Sequence, residues 1–214
     1  MLKLIIGNKR YSSWSMRPWI AMRELGVPFD EEVIPLYRDE SKAALLAYSP
    51  AGKAPVLKDG ELSVWDSLAI IEYLADLYPD LAVWPRDRFS RALARSLACE
   101  MHSGYAALRG QCPMNFGRAP HPISLTEEAR IDVERIDSVW RDALARSGGP
   151  FLFGAFCSVD AMFAPVVQRF DSYAAPVSDT ARVYMERVTA LNSWAEWSFA
   201  AQREEWRLER FERA

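Results

Sequence analysis

Ala54-Pro55-Val56-Leu57-Lys58-Asp59-Gly60-Glu61-Leu62-Ser63-Val64-Trp65-Asp66-Ser67-Leu68-Ala69-Ile70-Ile71-Glu72-Tyr73-Leu74 holds two short strands and the start of a helix in one uninterrupted stretch. Pro55–Lys58 and Leu62–Val64 flank Asp59-Gly60, a pair that tolerates the positive φ of a tight hairpin turn. Asp66 and Ser67 sit where side-chain oxygens can accept the orphan amides of a new helix, predicted over Ser67–Tyr78 and stopped by Pro79. Upstream, Leu2–Ile6 reads as a buried strand and Phe29–Ile34 as a second. Between them Ser12-Ser13-Trp14-Ser15 precedes a helix over Met16–Leu25, which ends at Gly26, and Ser41–Ala47 predicts a short helix. The order βαβαββα implies an α/β layer with a mixed sheet and a right-handed crossover.

After Pro85 the strand patterns stop. Phe89, Leu93, Leu97, Met101, Tyr105 and Leu108 recur at helical spacing, as do Leu125, Ala129, Val133, Ile136, Trp140 and Leu144. Charged residues flank both stripes, the pattern of amphipathic helices that cover a core. Further helices are predicted over Val159–Tyr173, Ala181–Leu191 and Trp194–Trp206, with a loop at Gln111–Pro122. The expected division is an α/β domain over residues 1–80 and an all-α domain over 86–214, joined by Asp80–Arg86.

The chain has 214 residues, half of them hydrophobic and 26% charged, which suits a globular fold and argues against disorder. No apolar run approaches the ~20 residues of a membrane span, and the Met1–Gly7 run is too short for a signal sequence, so a cytoplasmic location is expected. Residues 1–80 hold nine Lys and Arg against twelve Asp and Glu, and the remainder is balanced, which leaves no basic footprint for nucleic acid. Cys99, Cys112 and Cys157 show no paired spacing, and His102 and His121 are the two histidines. A disulfide framework, a zinc site or a Ser-His-Asp triad has little to build on, and no metal is expected.

Three segments carry possible chemistry. Tyr11-Ser12-Ser13-Trp14-Ser15-Met16-Arg17-Pro18 places hydroxyls at a helix start. There they can cap the helix, or join its free amides in stabilising an anion such as a thiolate. Ser49-Pro50-Ala51-Gly52-Lys53-Ala54-Pro55 is a turn into a strand. If Ala54-Pro55 is cis, the Ala54 backbone points outward and can pair with a peptide-like ligand. Asp66-Ser67 caps a helix, or else binds the ammonium and carboxylate that an amino acid carries on one carbon.

Together, in this order and spacing, the three segments resemble the N-terminal thioredoxin-like domain of cytosolic glutathione transferases, and the helical remainder resembles that family's second domain. The serine motif is most similar to the bacterial zeta-like branch, whose pattern is Ser-Ser-Cys-Ser followed by Arg. The resemblance implies that Ser12, or its neighbour Ser13, hydrogen-bonds the sulfur of glutathione, with Ser15 beside them. It implies that Ala54 pairs with the cysteinyl part before a cis Pro55, that Asp66 and Ser67 take the γ-glutamyl end, and that Lys53 faces the glycine carboxylate. The second substrate, a small and mostly apolar electrophile, is expected between the domains, against Met101, Tyr105 and Arg109 on one side and Tyr11 and Trp14 on the other. Met101 and Tyr105 also fit ordinary core packing, and Arg109 fits either attraction of an anionic co-substrate or a solvated charge.

The implied protein is a homodimeric glutathione transferase with glutathione as co-substrate, acting in detoxification without membrane or nucleic-acid partners. A zeta-type isomerase acting on a maleylacetoacetate-like substrate and a non-catalytic ligand-binding protein fit the same residues. Three positions depart from the family. Trp14 stands where the branch has cysteine, Asp66 where many members have Glu or Gln, and Cys157 where a Ser or Thr opens a capping box with Asp160.

Overall fold

A computed structural model describes residues 1–212; the last two residues of the expected 86–214 range lie outside the described part. Four strands, β1 Leu2–Ile6, β2 Phe29–Val33, β3 Val56–Asp59 and β4 Leu62–Val64, form one sheet in the order β2-β1-β3-β4. β1 runs parallel to β2 and antiparallel to β3, and β3 pairs antiparallel with β4. This is the mixed sheet that the element order implies. The hairpin turns one residue later than the Asp59-Gly60 signal suggests, because Asp59 still pairs with Leu62 and Gly60 takes the positive φ of 55°.

Helices α1 Ser13–Glu24, α2 Ser41–Leu46 and α3 Ser67–Leu77 complete the thioredoxin-like layer. α1 starts three residues before the expected Met16, since Ser12 accepts the Ser15 amide and so caps the helix at Ser13. Pro18 sits inside α1, and without an amide it leaves the Trp14 carbonyl lacking its usual helical partner. The Ala54–Pro55 peptide is cis.

The helical part comprises α4 Arg88–Ser103, α5 Ala106–Gln111, α6 Glu127–Ser147, α7 Ser158–Ser172, α8 Asp179–Thr189, α9 Asn192–Arg203 and the short α10 Glu209–Glu212. Beyond residue 86 the described residues form no strand, only an isolated bridge between Phe151 and Gly154. α7 is almost wholly buried and packs against α1 and α4, so one continuous apolar core joins the two halves. At the centre of the helical part, the ring of Trp140 lies 4.8 Å from that of Tyr184 and 5.4 Å from that of Phe170.

Two readings of the helical stripes are corrected. The stripe from Phe89 to Leu108 is not one helix. It breaks at Gly104, after which Tyr105 takes a left-handed φ of 56° and α5 begins. The break is stabilised at both ends: Arg109 donates to the carbonyls of His102 and Gly104, and Asp132 accepts the Leu108 amide. Phe89, at the start of α4, is 82% exposed and covers no core in this chain. At the start of α7 the Asp160 carboxylate accepts the Cys157 amide 3.0 Å away, so the acidic half of the expected capping box forms. Burial raises the Asp160 carboxyl to about 6, against the hydrogen bonds it accepts from the Leu152 amide and the Tyr184 hydroxyl.

Candidate functional site

One cavity of about 1160 Å³ opens between the thioredoxin-like layer and the helical part. The starts of two helices and the edge before β3 converge on it. Ser12, Ser13 and Trp14 enter from the start of α1, and Ala51-Gly52-Lys53-Ala54-Pro55 from the approach to β3. Asp66 enters from the N-cap of α3. The helical part contributes Arg109 and Gly110 of α5, Pro113 and Met114 after it, Arg169 of α7 and Phe211 of α10. Three segments far apart in sequence thus meet at one wall.

Ser12 and Ser15 form a tight pair. Their hydroxyl oxygens lie 2.8 Å apart, and Ser15 Oγ also accepts the Gly7 amide at 3.0 Å. Ser15, expected beside Ser12 and Ser13 at the ligand, is fully buried behind Ser12 rather than on the cavity wall. Ser13 is the first residue of α1, where helical amides point outward and the helix dipole favours negative charge.

Asp66 has two tasks. One oxygen accepts the Leu68 amide at 3.1 Å, and the other lies 3.1 Å from His102 Nε2. Burial lowers the His102 pKa and the Asp66 charge raises it, with the net shift downward. Half of the Asp66 side chain is still exposed to the cavity side. Ser67 does not line the cavity. It is wholly buried one residue behind Asp66, and its hydroxyl has no partner among the described residues.

The expected second-substrate residues divide. Tyr11, Trp14 and Arg109 line the cavity, whereas Met101 and Tyr105 do not. Met101 is fully buried in the core, and the Tyr105 hydroxyl turns back to Glu100 at 2.8 Å. The α4–α5 break is the reason, since it moves Tyr105 off the helical face that the stripe would have presented. Tyr11 stacks on Phe211 with ring centroids 5.3 Å apart, and its hydroxyl meets the Glu212 carboxylate. Burial and that carboxylate push the Tyr11 phenol up to about 12, so it is neutral at physiological pH.

Sequence reasoning missed Arg169, Arg38, Lys42 and Phe211 as cavity residues. Arg169 is followed by Phe170 on a helix whose apolar pattern signals core, so nothing local marks it. It is nonetheless buried, with Nε donating to the Cys112 carbonyl at 2.9 Å and Nη1 to the Pro165 carbonyl at 3.2 Å. Burial and the charge of Arg109 lower it to about 10. Arg17, also buried, is lowered to about 9 by burial and by the charges of Arg109 and Arg169. Among the described residues no group of three His, Cys, Asp or Glu side chains fits a metal ion, and no helix is long and apolar enough to cross a membrane.

Residues 11–77 match the family model for the glutathione S-transferase N-terminal domain. A probable maleylacetoacetate isomerase of Caenorhabditis elegans is 37% identical over 98 residues, 45% of each chain. A glutathione S-transferase-like protein of Aspergillus terreus is 31% identical over 65% of this chain and 66% of its own. The matched stretches span less than half of the first curated relatives. Among solved structures, a Burkholderia glutathione transferase homologue with bound glutathione superposes with a TM-score of 0.74 at 25% identity, covering 95% of this chain and 99% of that one. With the sheet order, the helical second part and these matches in agreement, the chain belongs to the cytosolic glutathione S-transferase family, and zeta-class members are among its relatives.

Proposed function

We propose that this chain binds glutathione and activates its thiol for attack on a small electrophile. The observation that carries the reading is the convergence of Ser12 and Ser13, Lys53-Ala54-Pro55 and Asp66 on one cavity wall. Glutathione would lie along that wall, its cysteinyl backbone on Ala54, its γ-glutamyl end at Asp66 and Ser67 and its glycine carboxylate toward Lys53. The unpartnered Ser67 hydroxyl lies behind Asp66 rather than on the wall, so its contact with the γ-glutamyl carboxylate requires the ligand to reach past Asp66.

A free thiol has a pKa of ~8.5 and is mostly protonated at neutral pH. A serine hydroxyl is no base; it acts by donating a hydrogen bond to the thiolate, with the α1 N-terminus adding positive potential. A charge-assisted hydrogen bond of ~1.5–3 kcal/mol is enough for one to two units of depression at ~1.4 kcal/mol each. Ser15 makes that donation possible. Hydroxyl protons rotate, so when a thiolate enters, Ser12 turns its proton to sulfur while Ser15 donates back to Ser12 Oγ and keeps the Gly7 amide as its own donor. The activated sulfur then attacks the electrophilic carbon.

Thiolate absorbance of bound glutathione, titrated against pH, tests this reading directly. A bound pKa at least one unit below that of free glutathione is expected. A bound thiol that titrates like the free one overturns activation and leaves a ligand-binding protein. Isomerisation is the second reading, favoured by the nematode isomerase relative; turnover of maleylacetone without net loss of glutathione would select it. We also propose a cytoplasmic homodimer, with a 1–80 glutathione-binding domain and an 86–214 second-substrate domain. Phe89 at 82% and Ile131 at 55% exposed are apolar surface for a partner copy to cover. Sedimentation at twice 24.3 kDa is expected, and a monomer at micromolar concentration overturns it.

A further inference from the structure

Thiol activation uses the serine end of the cavity and leaves the end beyond Trp14 unexplained. Three arginines gather there. Arg109 is half-buried on the cavity wall with its guanidinium 4.7 Å from the Trp14 ring, and Arg17 lies 4.3 Å from the same ring. Arg169, 4% exposed, also reaches the wall, and its Nε and Nη1 are used on backbone carbonyls. Arg17 is fully buried, and its Nε, Nη1 and Nη2 have no hydrogen-bond partner among the described residues.

Among the described residues no carboxylate forms an ion pair with any of the three, and Asp66 acts on Arg17 only as a nearby charge. Asp66 is the one acidic side chain among the described residues on the cavity wall, and its two oxygens face the start of α3 and His102 rather than a guanidinium. The three guanidinium groups act on one another as like charges in a partly desolvated space. Buried charges are tolerated when they are paired, so a cluster of one sign beside an open cavity is completed by an anion from outside. Guanidinium is also the side chain whose planar donors fit a carboxylate best.

We propose that Arg109 and Arg169, backed by Arg17 through the Trp14 ring, bind an oxyanion on the second substrate, so that the preferred electrophile is a carboxylate rather than a purely apolar molecule. In the proposed glutathione pose its two carboxylates lie toward Lys53 and the start of α3, which leaves the arginine end for the partner. The inference rests on the proposed glutathione chemistry for the nucleophile, but not for anion binding itself. With 4-chloro-3-nitrobenzoate as electrophile, the glutathione sulfur forms a bond to the carbon bearing chlorine and chloride leaves with the electrons of the broken bond. The thiol proton passes to solvent, and the carboxylate stays at the arginines throughout.

Two measurements test it. Binding of 4-chloro-3-nitrobenzoate and of its methyl ester, each without glutathione, is followed by calorimetry; the acid should bind about tenfold or more tightly, and added salt should erode that preference. In turnover with glutathione, the acid-to-ester ratio of kcat/KM should fall about tenfold in Arg109→Gln and recover in part in Arg109→Lys. Arg17→Met repeats the test from the buried side, and circular dichroism confirms that each variant is folded. Equal binding of acid and ester by the unmodified chain overturns the proposal, as does an acid preference that survives both Arg109→Gln and Arg17→Met. If glutathione does not bind while the acid preference holds, the anion site stands and the proposed transferase reading fails.

Discussion

The two walls of the cavity are built by different kinds of order. The wall from the first eighty residues uses helix starts and a strand edge, where backbone amides and carbonyls are already oriented and each side chain has a neighbour nearby in sequence. Ser12 pairs with Ser15, and Asp66 caps the helix it precedes. The wall from the helical part uses side chains delivered by packing: Arg109 from α5, Arg169 from the buried α7 and Phe211 from α10. Local geometry fixes chemistry on the first wall, and tertiary fit fixes it on the second. Substitutions should therefore split into those that change catalysis with little loss of stability and those that do the reverse.

The largest effect is expected from Met101→Ala. The side chain is fully buried where α4 meets the core, so its loss should destabilise the fold by about 2–5 kcal/mol, read as a lowered denaturant midpoint. Glutathione affinity at low temperature should change less than threefold. A selective loss of electrophile affinity with normal stability would return Met101 to the second-substrate site and break the comparison.

Ser12→Ala comes next. Its hydrogen bond matters most to the charged form of the ligand, so turnover at neutral pH should drop about tenfold to a hundredfold while glutathione affinity moves far less. The pKa of the bound thiol rises in the variant, so the rate is recovered in part as pH increases. Ser13→Ala is the control. If it alone shows the pH-dependent loss, the two roles are exchanged; if neither variant does, the helix amides hold the thiolate without a hydroxyl.

Ser67→Ala should weaken glutathione binding by about 1–3 kcal/mol without affecting turnover at saturation, because it would leave a ligand carboxylate underpaired. Calorimetry decides this. An unchanged affinity would mean that the buried Ser67 hydroxyl is not reached by ligand and that Asp66 alone serves that end.

What the sequence made legible follows the same division. The mixed sheet and the α3 start were readable because Asp59-Gly60, Asp66 and Pro79 mark their boundaries by backbone chemistry. The position of α1 was misread by three residues, since Ser13, Trp14 and Ser15 look like a loop until Ser12 is recognised as the cap. The α4–α5 break was not readable. A single apolar period runs through it, and what ends α4 is Arg109 reaching back to the carbonyls of His102 and Gly104, a contact that spacing alone does not signal. The arginine cluster was hidden for a related reason, because Arg17, Arg109 and Arg169 come from three helices, α1, α5 and α7, and only tertiary packing brings them together.

The smallest expected effect sharpens the comparison most. Tyr105 sits at the break itself, with its ring buried and its hydroxyl on Glu100. Glu100 does not depend on it, since Arg135 donates to both of its oxygens at 2.7 and 3.0 Å. Burial and the Glu100 carboxylate raise the Tyr105 phenol, which keeps it neutral and a donor across the physiological range. Tyr105→Phe keeps the ring and removes the hydroxyl, so it should cost about 0.5–1.5 kcal/mol of stability, the value of one ordinary hydrogen bond. Because the hydroxyl points away from the cavity, KM for the electrophile should stay within twofold and the pH–rate profile should not move. A rise in KM of tenfold with the same stability would mean that Tyr105 swings into the cavity when substrate binds, and that the helix break is a moving part rather than a fixed wall.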